Sequence, residues 1–68
     1  MKLTLQEVID EVKNIAAIGR RDEEVAHRDE DKLHVLVLQA IADGIENPAG
    51  FAREALKTRD LDFPRHCA

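Results

Sequence analysis

Hydrophobic residues recur along this chain at spacings of three and four, in three blocks. The first is Leu5, Val8, Ile9, Val12, Ile15 and Ala16, which is one face of a helix. Thr4 precedes it as an N-cap, and Glu7 three residues on completes a capping box. Gly19 is a natural stop. Glu7, Asp10, Glu11 and Asn14 fall on the opposite side. The pattern predicts a helix over residues 4–18.

The second block begins after Asp22. This residue can cap a helix while Glu23 and Glu24 sit at the positive end of its dipole. Gly44 ends it, so the predicted helix covers residues 22–43. Its first half is nearly all charge. Its second half, LHVLVLQAIA (residues 33–42), is apolar almost all round. Leu33, Leu36, Val37, Ala40 and Ile41 form one stripe; Val35, Leu38 and Ala42 form another. A helix wet on one side needs only one stripe. Two stripes predict two neighbours: the flanking helices, or those plus a second copy of the chain. The β-branched residues offer a strand over 33–38 as an alternative, but the unbroken run to Gly44 favours helix.

Asn47-Pro48 marks a third start, an N-cap followed by Pro at the first helical position. Phe51, Ala52, Ala55 and Leu56 supply a short apolar face, which predicts a helix over residues 47–58. In the tail RDLDFPRHCA, Leu61 and Phe63 are candidate anchors. Pro64 discourages helix at Phe63, and Asp62 could cap a final turn. The expected fold is all-α: a small three-helix bundle in one domain (residues 1–68), with an anchored C-terminal tail, forming a dimer.

Size sharpens the dimer expectation. A 68-residue chain buries only about 60% of its unfolded surface. Such chains lean on disulfides, a metal, a partner subunit or very regular helix packing. One cysteine, Cys67, makes no internal disulfide and suits a reducing compartment. The opening MKLTLQEVIDEVK meets charge before any sustained apolar run, unlike a secretory leader. No stretch approaches the roughly 20 apolar residues of a membrane span. A cytoplasmic protein away from the membrane is expected.

The net charge is −4, unevenly spread. Residues 1–46 hold eleven acids against six bases, and residues 47–68 hold three against four. An acidic body repels phosphate backbones, and without Trp or Tyr there are few platforms for stacking bases. No nucleic-acid partner is expected. A basic protein partner or bound cations would suit the charge.

One stretch carries candidate chemistry. DEEVAHRDEDKLH (residues 22–34) writes acid-acid-x-x-His twice, seven residues apart. At about 100° per residue, Glu23, His27, Glu30 and His34 fall within roughly 60° of arc. Asp31 lies beside them. Histidine with a carboxylate three or four residues away can share a divalent metal, as in Glu-x-x-His pairs of di-metal bundles. One helix alone seldom completes a coordination shell, so His66, Cys67 or a second chain would have to help. The competing explanation is a solvated face of Glu-His and Asp-Lys pairs at helical spacing, and it is preferred.

Two further functions rest on resemblance. Glu23, Glu24, Glu30 and Asp31 look like a distant echo of the magnesium-binding helices of all-α nucleotide pyrophosphatases. His27 stands where that family's pattern has an acid, and hard magnesium prefers oxygen ligands. VLQAIADGIENPAGFAREALKT resembles helix-turn-helix openings, but the tail with Pro64 leaves little room for a further recognition helix. Neither an enzyme nor a DNA-binding protein is expected. His66 and Cys67 are neighbours at the end of the chain, which is not a nucleophile–base geometry.

The series DEEVAHRDEDKLH, VLQAIADG, AREALKT and LDFPRHCA (residues about 22–68) resembles short uncharacterised proteins of actinobacterial phages and their hosts. The resemblance transfers no functional residue. It implies a phage protein that binds a host protein, the class to which small acidic phage proteins often belong. The expectation is therefore a small acidic helical interaction module, dimeric, with Leu36, Leu38, Ile41 and Phe51 carrying packing or interface. The alternative is a metal-binding helical protein using Glu23, His27, Glu30 and His34.

Overall fold

A computed structural model describes residues 2–63. Three helices follow in order: α1 (Leu5–Gly19), α2 (Glu23–Ala42) and α3 (Pro48–Leu56). A 3-10 turn, Lys57–Asp60, continues α3. No strand occurs among the described residues, so the apolar run 33–38 is helical. Nor is any helix among them long and apolar enough to cross a membrane.

Each helix starts where its side chains satisfy the free N–H groups of the first turn. Thr4 Oγ1 accepts from Glu7 N at 3.1 Å, and Thr4 N donates to Glu7 Oε1 at 2.8 Å. Asp22 Oδ1 accepts from Val25 N at 3.2 Å. Asn47 Oδ1 accepts from Gly50 N at 3.2 Å, with Pro48 entering the first turn. Past the end of α2, Gly44 takes a φ of 85°, which a side chain would resist.

α2 packs against both α1 and α3, and α1 also touches α3. Val8 and Ile15 of α1, Ala26, Leu33 and Val37 of α2, Phe51 and Ala55 of α3, and Phe63 form the buried core. Leu3, Leu5, Val12, Ile18, Ile41, Ile45 and Leu61 are half-buried around it. The largest fully buried side chains are only Ile15, Val8 and Thr58. The core is small, as the length demands.

Gly19 has a different role from the stop predicted for it. It remains inside α1, and Arg20 closes the helix in right-handed geometry. What its position needs is space. A Cβ built there would lie 2.9 Å from Phe63 Cδ2 and 3.2 Å from Phe63 Cγ. Phe63 is buried against this gap. His66, Cys67 and the predicted break at Pro64 lie outside the described residues.

Gly19→Ala should therefore lower the melting temperature. Helix propensity alone favours Ala by about 1 kcal/mol, so the contact with the ring must outweigh it. A rise in melting temperature would show that Phe63 does not sit on Gly19.

Candidate interaction surface

Two members of the acid–histidine row of α2, Glu30 and His34, are not on a wet face. Glu30 is only 5% exposed. His34 Nε2 lies 2.9 Å from Thr58 Oγ1 in the 3-10 turn. Thr58 is fully buried and donates its hydroxyl hydrogen to Ala55 O at 3.0 Å. That hydroxyl has one hydrogen, so its oxygen accepts from His34 Nε2–H. His34, Thr58 and Ala55 thus form a polar chain from α2 into α3. It closes the α2–α3 seam.

His27 stands apart from this polar chain. His27 Nε2 stands 3.6 Å from Asp31 Oδ2, too far for a hydrogen bond. Glu23 is half-buried at the start of the helix. Among the described residues no three His, Cys, Asp or Glu side chains converge on a position for a metal ion. The preferred reading of the row as a solvated face fails at Glu30 and His34. The reason is packing: the row borders the Leu33–Val37 stripe closely enough for Glu30 to be buried with it and for His34 to reach the 3-10 turn.

The side of α2 away from the core is the unusual one. Val35 is 65% exposed, Leu36 56% and Leu38 66%; Leu56 of α3 is 50% exposed. The stripe of Val35, Leu38 and Ala42 meets neither flanking helix in the core. Leu36 leaves the inner stripe predicted for it and turns outward. Of the four residues expected to carry packing or interface, Phe51 is buried in the chain's own core and Ile41 is packed against it. Leu36 and Leu38 are open to solvent.

Two shallow grooves flank this face. One, of about 320 Å³, runs between α2 and α3 and is lined by His34, Leu38, Ile41, Ala52 and Leu56. The other runs between α1 and α2, where Leu36 and Lys32 lie beside Glu7, Asp10, Glu11 and Asp29. One groove is greasy and the other acidic, and the exposed aliphatic face joins them. After α3 the chain enters the 3-10 turn, so no further recognition helix follows among the described residues.

No family model, curated protein or solved structure matches this chain. The surface itself therefore carries the functional reading.

Sequence reasoning missed Thr58 as the partner of His34. The signal was present: residues 51, 55 and 58 continue one face of α3 at helical spacing, and a threonine on an inward face needs an acceptor. Thr58→Val keeps the shape and removes the hydroxyl that meets His34 Nε2, while Ala55 O keeps its bond from Lys57 N–H. It should cost about 1–3 kcal/mol. Thr58→Ser, which keeps the hydroxyl, should cost less in the same denaturant titration. Equal losses would assign the effect to the methyl group's packing instead.

Proposed function

We propose that this protein is a small acidic helical interaction module, not an enzyme, and that it self-associates as a homodimer through the outer face of α2. The observation that supports this reading is the exposure of Val35, Leu36 and Leu38 on one helix, with Leu56 beside them. Single exposed aliphatics are ordinary on a protein surface, whereas three within four positions of one helix are a concentration. For a chain with so small a core, covering that patch adds burial that the monomer lacks.

The acidic groove between α1 and α2 supports a second partner class, a basic protein drawn in by long-range charge. A host protein is what the resemblance to phage proteins implies. The expected setting is the cytoplasm. We also propose that the segment after Leu61 is an anchor, since Phe63 fills the space above Gly19. Ending the chain after Leu61 should then lower the melting temperature, and an unchanged value would contradict the anchor.

Leu38→Glu tests the dimer. It places a charge on the outer face while leaving the buried core residues in place. The wild type should sediment as a dimer, and the variant should weaken the dimer by at least about 2 kcal/mol, roughly thirtyfold in Kd, with its helicity retained. A wild type that stays monomeric, or a variant that dimerises equally well, would overturn the proposal.

A further inference from the structure

Seven residues are close to two turns of a helix, so positions seven apart stand nearly in line. Asp29, Leu36 and Asp43 are such a series along α2, the last of them at its C-cap. They fall within about 40° of one line. Each acid lies about 10 Å along the axis from the leucine. This line borders the groove between α1 and α2. At one end Glu7, Asp10 and Glu11 of α1 line the groove with Asp29 and Leu36. At the other, Asp43 and Glu46 share a depression with Leu36. The floor between the two ends is aliphatic. Leu3 and Leu36 line both depressions, and Leu36 is 56% exposed.

The charge on this surface is uncompensated within the chain. Lys2 and Lys32 border it, against six acids. Among the described residues, Glu7, Asp10, Glu11, Asp43 and Glu46 have no Lys or Arg within 4.0 Å. Asp29 has a long contact of 3.8 Å to its neighbour Arg28. The hydrogen bonds that Glu7, Asp10, Glu11 and Asp43 accept come from uncharged donors: Thr4 N, Gln6, Asn14 and Gln39.

From this acid–leucine–acid line, and resting on the basic-partner reading above, we infer that the groove between α1 and α2 binds a basic amphipathic helix of another protein. An aliphatic side chain of that helix seats beside Leu36, with arginine or lysine about two turns to either side. A helix laid along α2 at a shallow angle keeps the same seven-residue register, so its bases meet Asp29 with the α1 acids at one end and Asp43 with Glu46 at the other. A second copy of this chain does not suit the groove. Turned end over end, it sets Asp43 and Glu46 against Glu7, Asp10 and Glu11; laid parallel, it sets each acid beside itself. Like charges so placed oppose association. The homodimer proposed above is left with Val35, Leu38 and Leu56. Of these, Val35 and Leu38 point about 100° or more away from Leu36 on the helix.

The probe is a synthetic alanine-rich helix of about 20 residues, with one leucine at its centre and a pair of arginines about seven residues to either side. Its binding is read by fluorescence anisotropy at low salt, on the wild type and on Leu38→Glu. Both should bind it alike, because Leu38 lies off the groove. Leu36→Gln, Glu11→Lys and Asp43→Lys should each raise Kd about tenfold, and added salt should weaken binding further. Lys32→Glu should lower Kd, since it removes a base from the site. Circular dichroism of each variant confirms that the fold is retained. Binding that survives exchange of the peptide's leucine for glutamine overturns the seated helix and leaves only a general attraction to basic proteins. Binding lost on Leu38→Glu but indifferent to Glu11→Lys and Asp43→Lys moves the partner to the other side of α2 and also overturns the inference. No binding of the arginine peptide, or equal binding of one with glutamates in their place, overturns the basic-partner reading with it. The homodimer stands or falls separately, on sedimentation of the wild type.

Discussion

The architecture depends on one helix having to bury two sides with too little protein to do it. α2 is the common wall between α1 and α3. Its inner stripe of Ala26, Leu33 and Val37 meets Val8 and Ile15 on one side and Phe51 and Ala55 on the other. Among the described residues no further element lies over the outer side. α2 nonetheless carries aliphatic residues there, at 35, 36 and 38. Burial of apolar surface contributes roughly 25 cal/mol per Å², so leaving such a face in water forgoes stabilisation that a small domain needs.

The polar seam between α2 and α3 follows from the same shortage. Thr58 is among the largest fully buried side chains. A polar group in that position is tolerable only when its hydrogen bonds are made, and His34 and Ala55 O make them. The acid–histidine repeat, whose spacing matches a metal-binding pattern, thus has part of its length in structural use. His34 braces the carboxyl-terminal turn, Glu30 is enclosed, and His27 stays near Asp31. Chemistry-bearing residue types at suggestive spacing need not converge, because the neighbours of a helix decide which of its side chains meet.

Much of the fold was legible in the sequence because it was written locally. Thr4 with Glu7, Asp22, and Asn47-Pro48 act within one turn of themselves, and all three start helices where the pattern places them. Gly44 ends α2 by its own backbone freedom. What could not be read depended on contacts between distant parts of the chain. Gly19 resembles a stop, yet its smallness serves Phe63, more than forty residues away. Glu30 resembles a wet acid until the chain folds over it. Leu36 and Val37 are adjacent and both apolar, but they point about 100° apart on the helix, and where α1 and α3 lie leaves one out and the other in. The apolar excess of residues 33–42 was visible from the start; which residues of it face outward was a tertiary fact.

The central claim is that the outer face of α2 is covered by a second copy of the chain. The most direct test is the thermal unfolding midpoint of the unmodified protein, measured from micromolar to millimolar concentration. Association that stabilises the folded state makes that midpoint climb with concentration. A steady rise is the predicted result. A midpoint that does not move across the range would mean that the exposed aliphatic face remains in water, and would contradict the account.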